Sequence, residues 1–208
     1  MTPKKLPSPT MAQALSEMTL EELWRLFPIV LTPYRPQWKD WAKEEIGNLH
    51  SLLSDCTPVI SHIGSTAIAG IKAKPIIDIL VEVPPTASLA AIRTSLENAG
   101  YICMCVSGTR MSLNKGYTPA GYAERVFHIH IHPAGDNAEI AFRDYLNSHP
   151  AVAREYESLK LRLLEEFGNN RDGYTGAKSE FVNRVINQAS LSAMSASTRD
   201  VNSLAGRS

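Results

Sequence analysis

The sequence predicts an α/β (α+β) domain, with a small mixed β-sheet flanked by helices and a C-terminal helical block. An apolar run at 76–83 and a run of alternating apolar residues and histidines at 125–132 have the length and composition of strands. Segments with apolar residues at helical spacing lie before and between these runs, which is typical of helices that cover a sheet. From residue 138 onward only the helical pattern recurs, and this predicts the C-terminal block.

Local signals place the elements of the first half. Thr19 stands before Glu21 and Glu22, which is the chemistry of a helix cap. Trp38 and Trp41 begin a helical repeat of apolar residues, so we expect an amphipathic helix with its aromatic side chains in the core. In chain order the expected elements are a helix at 18–26, a strand or extended arm at 27–31, a helix at 37–54, strands at 59–60 and 76–83, a helix at 88–99 and a strand at 101–106.

The second half contains one irregular segment, one alternating strand and three helices. Residues 107–123 are rich in Gly, Asn, Pro and Thr without a clean period, so we expect a hairpin or a mobile loop that is a candidate lid. In the strand at 125–132, the odd-numbered residues from Phe127 are apolar and the even-numbered residues from His128 are histidines, which places the two sets on opposite faces. The helices are expected at 138–146, 150–167 and 175–194.

Composition excludes several classes of protein. The 208 residues carry no formal net charge, so an extended nucleic-acid surface is not expected. No apolar run approaches the roughly 18 residues that span a membrane, and the N-terminal segment lacks the apolar core of a signal peptide. The three cysteines fit a reducing compartment, and we expect a cytoplasmic protein without membrane contact. We expect one domain over 17–192, between a disordered tail at 1–16 and a flexible tail at 193–208.

The stretch 62–83 contains the residues most indicative of chemistry. Gly64 allows a positive φ or a close approach of the backbone to a ligand. Ser65 or Thr66 would cap a following helix, whose free N–H groups would face an anion. Asp78 interrupts an apolar strand, where a lone carboxylate is costly unless a metal ion or another cation offsets the cost.

The same stretch resembles the signature of the GrpB family, small bacterial and fungal proteins of the nucleotidyltransferase superfamily, in the run HIGSTAIAGIKAKPIIDILV. The resemblance extends from about residue 20 to 188 through further blocks in the same order, among them FHIHIH and FRDYL. It implies a sheet of the nucleotidyltransferase type. Gly64-Ser65 and Asp78 match the superfamily pattern, whereas Leu80 stands where that pattern has a second carboxylate.

The resemblance also implies how a nucleotide would be held. Gly64-Ser65, with Thr66 beside them, would bind its phosphates through backbone N–H groups and the Ser hydroxyl. Asp78 would hold a divalent metal ion, Mg²⁺ or Mn²⁺, that bridges to phosphate oxygens. Lys74 would reach a phosphate as a point charge, and Arg125 is the best strand-borne candidate for an anion clamp.

The histidines of the strand at 125–132 offer a replacement for the missing carboxylate. Neutral imidazole is a common metal ligand, so we predict Asp78, His128 and His130 as metal ligands and catalytic residues. This set also admits Zn²⁺. The alternatives for the histidines are a general base or a solvent-facing surface. Four further residues are expected to line the pocket: His62, Glu82, Tyr174 and Lys178.

The expected function is that of a metal-dependent nucleotidyltransferase-like protein. It would bind a nucleotide or a phosphorylated small molecule and transfer a nucleotidyl group to an unidentified acceptor. Leu80 leaves two alternatives open. One is a degenerate nucleotide- or anion-binding module without transfer activity. The other is a different metal-dependent enzyme that uses His128 and His130.

Overall fold

The structure, a computed structural model, describes residues 17–168 and 170–205 of the chain. The tail predicted at 1–16 lies outside the described residues. Among the described residues no helix is long and apolar enough to cross a membrane. The helices are α1 (Leu20–Leu26), α2 (Gln37–Leu52), α3 (Leu89–Asn98), α4 (Ala138–Ser148), α5 (Pro150–Phe167), α6 (Arg171–Gly176) and α7 (Ser179–Ala205), and the strands are β1 (Val59–Ile63), β2 (Ile77–Val83), β3 (Ile102–Ser107), β4 (Arg110–Thr118) and β5 (Gly121–Pro133).

The five strands form one mixed sheet in the order β1-β2-β5-β4-β3. Strands β2 and β5 lie side by side in parallel, and the other neighbouring pairs are antiparallel. The two strands that the sequence marks as most apolar are therefore in the interior of the sheet, where both of their edges are paired. The predicted mixed sheet flanked by helices is confirmed.

One face of the sheet is covered by α2 and α3. The odd-numbered side chains of β2 and β5 pack there against both helices, as the alternation of β5 predicts. The even-numbered side chains, including the histidines, point to the other face. The buried residues that join sheet and helices include Ile79, Ile129 and Ile131 from the strands, Trp38 and Leu49 from α2, and Leu96 from α3.

The C-terminal helices pack on the connection between β1 and β2. Ile68 and Ile71 of that connection form a cluster with Phe142 of α4, Tyr156 of α5 and Val185 of α7. This packing brings α5 to the open face of the sheet. The last helix begins at Ser179 and continues to Ala205, so its predicted limits of 175 and 194 are wrong at both ends. The flexibility of 193–208 stays a prediction.

The segment 107–123 is a hairpin and not a mobile loop, so the lid hypothesis is wrong. Strand β4 pairs with β5 through a register shift between Lys115 and Tyr117. Gly116, with a φ of +88°, stands at this irregularity. The shift breaks the alternation of side chains, and this explains why the sequence shows no clean period. Of the two alternatives for 27–31, a strand or an extended arm, the strand is wrong: this stretch carries no strand in the described secondary structure, and an isolated bridge joins Thr32 to Ala73.

Candidate functional site

Asp78 and two histidines meet on the face of the sheet opposite α2. Asp78 lies beside His128 in the parallel register of β2 and β5, and Leu80 lies beside His130. Residues two apart in a strand share a face, so all of these side chains point the same way. Nδ1 of His128 lies 3.4 Å from Oδ1 of Asp78, and Nε2 of His130 lies 3.3 Å from the same oxygen. The structure thus brings three predicted site residues together.

These three side chains fit a single metal ion. One donor atom from each lies within 4.8 Å of the other two, and all three are half-buried. The hydroxyl of Tyr117 lies 2.8 Å from Nε2 of His128, which holds the ring with Nδ1 toward Asp78. Two imidazoles and one carboxylate suit Mn²⁺, Fe²⁺ or Zn²⁺ better than Mg²⁺, which prefers oxygen.

Asp78 and His130 adjust each other's protonation. Burial opposes ionisation of Asp78, but hydrogen bonds and charges from the two histidines outweigh it and hold the pKa of this carboxyl well below its usual range. Burial acts to lower the pKa of His130, while the hydrogen bond and charge of Asp78 raise it above its ordinary value. The carboxylate is therefore ready to bind a cation, and a proton on His130 must leave before its nitrogen can coordinate.

Gly64 lets the backbone pass directly against Asp78. Its φ is +71°, and a Cβ atom at this position would lie 2.9 Å from both Cβ and Cγ of Asp78. Only glycine fits this contact. The next residues, Ser65–Ala67, form a single 3₁₀ turn without a side-chain cap. The cap predicted for Ser65 or Thr66 is therefore wrong, because Gly64 takes the N-cap position of this short turn. Ser65 is the residue of the bend that lines the cavity.

The cluster of Asp78, His128 and His130, here called the metal cluster for its set of potential ligands, opens into a cavity of about 610 Å³. This volume is typical of a site for a small organic ligand. Two further walls have different chemistry. The first, here called the amine wall, consists of Lys74, Lys160 and Lys178. The second, here called the apolar wall, consists of Leu20, Leu23, Trp24, Leu31 and Met104.

The amine wall is built around aromatic rings. Nζ of Lys74 and Nζ of Lys178 lie 4.8 Å and 4.5 Å from the centroid of the Tyr174 ring. Nζ of Lys160 lies 4.8 Å from the centroid of the Tyr156 ring. Ring faces attract cations without neutralising them. The wall therefore places three amines, each against an aromatic ring, beside the cavity.

Lys160 is a site residue that the sequence analysis missed. Its side chain is only 2% exposed and donates a hydrogen bond to the Lys72 carbonyl. Burial and the nearby charge of Lys178 lower the pKa of Lys160 to about 7, against a smaller opposite effect of Glu157. A signal was present: this lysine is four residues after Tyr156, on the apolar stripe of its helix, where an exposed lysine is not expected.

Lys178 connects the amine wall to the metal cluster. Burial lowers the pKa of Lys178, while the charge of Asp78 acts to raise it. Neither Lys178 nor Lys160 forms an ion pair with a carboxylate in the part of the chain that the structure describes. The like charges of these two amines, Lys160 buried and Lys178 half-buried, repel each other, and an anion between them would relieve that repulsion.

Arg125 and Glu82 lie away from the cavity, so their expected roles need correction. Arg125 is an odd-numbered residue of β5, so its side chain lies on the opposite face of the sheet. It forms an ion pair with Glu44 of α2, and its guanidinium carbon lies 5.4 Å from the centroid of the Trp41 ring. Glu82 accepts a hydrogen bond of 2.8 Å from the backbone N–H of Gly135 in the loop after β5. Arg125 thus links α2 to the sheet, and Glu82 links the loop after β5 to strand β2.

His62 and Thr66 support the bend from behind and do not line the cavity. Nε2 of His62 lies 3.0 Å from Oγ1 of Thr66, which in turn donates to the Ile76 carbonyl at 3.2 Å. Burial lowers the pKa of His62 to about 4, so this ring is neutral at physiological pH. Thr66 is fully buried. Both residues hold the connection between β1 and β2 in place. This corrects the phosphate-binding role predicted for Thr66 and the cavity-lining role predicted for His62.

Comparison with known proteins finds one protein family, individual relatives and solved structures that are similar to this chain. The GrpB protein family matches residues 28–188 of this chain. Glutamate-rich protein GrpB of Alkalihalophilus pseudofirmus is 34% identical over 170 residues, which cover 77% of this chain and 95% of that protein. The crystal structure of conserved protein GrpB from Enterococcus faecalis has a TM-score of 0.67 and 30% identity, covering 77% of this chain and 96% of that one. A structure of the Cid1 poly(U) polymerase with MgGTP bound has a TM-score of 0.46 and 11% identity, covering 71% of this chain and 46% of that one.

Proposed function

The chain belongs to the GrpB protein family, and we propose that it is a metal-dependent, nucleotidyltransferase-like protein that binds a nucleotide or another phosphorylated small molecule through its phosphates. One observation carries this proposal: the cluster of Asp78, His128 and His130 and the three lysines of the amine wall open into the same cavity. A phosphate chain is the kind of ligand that a divalent ion and several amines bind together.

Each group has a separate task in this proposal. A divalent ion on the three-residue cluster would neutralise charge on phosphate oxygens. The Ser65 hydroxyl would donate a hydrogen bond to one of these oxygens. Lys74 and Lys178 would act as point charges on either side of the Tyr174 ring. Lys160, with its lowered pKa, would take up a proton at Nζ as the phosphate arrives, since the anion favours the charged amine.

A specific observation favours a second candidate, binding without transfer. Leu80 occupies the position of the second carboxylate and is fully buried, with His130 as its neighbour in the register. Catalysis by two metal ions needs carboxylates that bridge both. The site is therefore suited to one ion, held in part by imidazole, and transfer of a nucleotidyl group is the step to be tested separately.

Metal binding is tested on the purified full chain. Mass spectrometry for metals and calorimetric titration with Mn²⁺, Zn²⁺ and Mg²⁺ should give one equivalent of a transition metal per chain. His128→Ala and His130→Ala should each weaken this binding by a hundredfold or more, beyond the roughly 10–100-fold loss typical of outer-shell changes. His132→Gln, on the same strand, is the matched control. Equal metal content in all variants would overturn the assignment of the site.

Transfer is tested with nucleoside triphosphates labelled in the α-phosphate. Binding of the triphosphates with metal should raise the unfolding temperature whether or not transfer occurs. Release of pyrophosphate with label on an acceptor, lost in Asp78→Asn, would support transfer. A thermal shift without pyrophosphate release, using a range of acceptors, would favour the binding module. No shift with any phosphorylated compound would refute both candidates.

A further inference from the structure

The apolar wall of the cavity includes a helix that precedes the family match. Helix α1 contributes Leu20, Leu23 and Trp24, whereas the GrpB match begins at residue 28. The wall is therefore partly built by a helix that lies before the residues matched by the GrpB family. It lines the same cavity as the metal cluster and the amine wall.

Helix α1 is fastened next to the metal cluster. Its N-terminus has a complete capping box, in which Thr19 and Glu22 bond reciprocally to each other's backbone N–H groups. At its C-terminus Phe27 is buried, with its ring centroid 4.7 Å from that of Tyr117. Tyr117 in turn contacts His128. The helix is thus held in place by the same tyrosine that orients a predicted metal ligand.

The apolar wall is left exposed at the mouth of the cavity. Leu20 is 65% exposed and Met104 is 55% exposed, although both are large and apolar. Trp24 beside them is half-buried. The phosphate groups of a ligand belong with the lysines and with a divalent ion held by Asp78, His128 and His130, because the amines and the ion carry the opposite charge. What remains for the apolar wall is the uncharged part of the same ligand.

We propose, on the basis of the function proposed above, that Trp24 stacks on a flat aromatic group of the ligand and that the ligand is a nucleoside polyphosphate. The division of the cavity carries this inference: the amines and a metal ion held by Asp78, His128 and His130 bind the phosphate chain, and the apolar wall receives the base. An indole ring offers a stacking surface that tolerates any base. Trp24 is then a specificity-determining residue, which selects nucleotides over inorganic polyphosphates and phosphorylated sugars.

The test compares two probes by calorimetry in the presence of Mn²⁺: the α,β-methylene analogue of ATP and inorganic tripolyphosphate. The wild-type protein should bind the nucleotide about tenfold more tightly than tripolyphosphate. Trp24→Ala should abolish this margin and leave the tripolyphosphate affinity unchanged. Trp24→Phe should retain most of the margin, because it keeps an aromatic face. Arg25→Ala, at an exposed position of the same helix, is the control.

The outcomes separate this inference from the function on which it rests. If Trp24→Ala keeps the margin, or weakens both probes equally, the stacking role is refuted while phosphate binding stands. If the wild-type protein binds tripolyphosphate as tightly as the nucleotide, the proposed substrate class is also refuted. If it binds neither probe, the proposed function fails and this inference fails with it. Circular dichroism and the unfolding temperature confirm that each variant is folded.

Discussion

Replacing Lys160 by methionine is expected to stabilise the ligand-free protein and to weaken its binding of phosphates. Methionine has a similar length and no charge, so it fills the same space in the buried helix face. The substitution removes one hydrogen bond, to the Lys72 carbonyl. It also removes an amine that burial and a neighbouring lysine make costly to charge. The two effects on the free energy of unfolding have opposite signs.

The structure indicates which effect dominates. The pKa of Lys160 falls from its ordinary value of 10.5 to about 7 in the folded state. Since one pH unit corresponds to about 1.4 kcal/mol, charging this amine at pH 6 costs the fold on the order of 5 kcal/mol. The lost hydrogen bond is worth about 1 kcal/mol. The Lys160→Met protein should therefore be more stable at pH 6 by about 4 kcal/mol.

The sign of the pH dependence follows from proton uptake. Between about pH 7 and pH 10 the unfolded chain keeps a proton on Lys160 that the folded protein has released, so the stability of the wild-type protein rises with pH in this window. Below pH 7 both states are protonated and the full penalty is present. At pH 10 the advantage of Lys160→Met should have nearly disappeared.

Urea unfolding at pH 6 and pH 10 measures this difference directly. Lys43→Met, at an exposed position of α2, controls for the general effect of removing a positive charge. Saturating tripolyphosphate with Mn²⁺ should stabilise the wild-type protein more than Lys160→Met. If Lys160→Met is less stable than the wild-type protein at pH 6, or if the difference is the same at both pH values, the charged form of Lys160 does not destabilise the ligand-free fold and the reasoning is wrong.

Two further substitutions test the metal cluster from its surroundings. Gly64→Ala should displace Asp78 and abolish metal binding, because the new methyl group would overlap this carboxylate; Gly70→Ala, where φ is also positive but no atom lies within 4 Å, should cost stability without affecting metal affinity. Equal metal affinity in both alanine variants would contradict the close packing at the bend. Tyr117→Phe should weaken metal binding by about tenfold, since it releases the ring of His128; an unchanged affinity in titration with Mn²⁺ would show that the hydroxyl has no orienting role.

Local patterns in the sequence predicted the central strands and the convergence of the histidines well. The alternation along β5 separates the histidines from the apolar residues, and the structure follows it. The same alternation was a signal that Arg125 belongs with Phe127 on the opposite face, where the structure has it. The role expected for Arg125 was thus wrong for a reason that is visible in the sequence.

Other features depend on contacts between distant segments, which no local pattern encodes. Lys160 and Lys178 reach the cavity because α5 and the start of α7 pack on the connection after β1. Helix α1 shows only a cap and a short apolar repeat in sequence, which say nothing of the cavity it lines. The bulge near Gly116 conceals a strand, because it interrupts the period by which strands are recognised.

The parallel alignment of β2 and β5 has a consequence for how the protein reaches its folded form. Sliding one strand past the other by a single residue would turn the imidazoles toward α2 and leave Asp78 facing an isoleucine or a phenylalanine. An ion bound by the three side chains would therefore cross-link β2 and β5. Asp78 and His128 are 50 residues apart in the chain, and they lie side by side in only one alignment of the two strands. Metal binding would therefore stabilise the correctly aligned sheet and not the misaligned ones as the chain folds, in addition to its role in the proposed function.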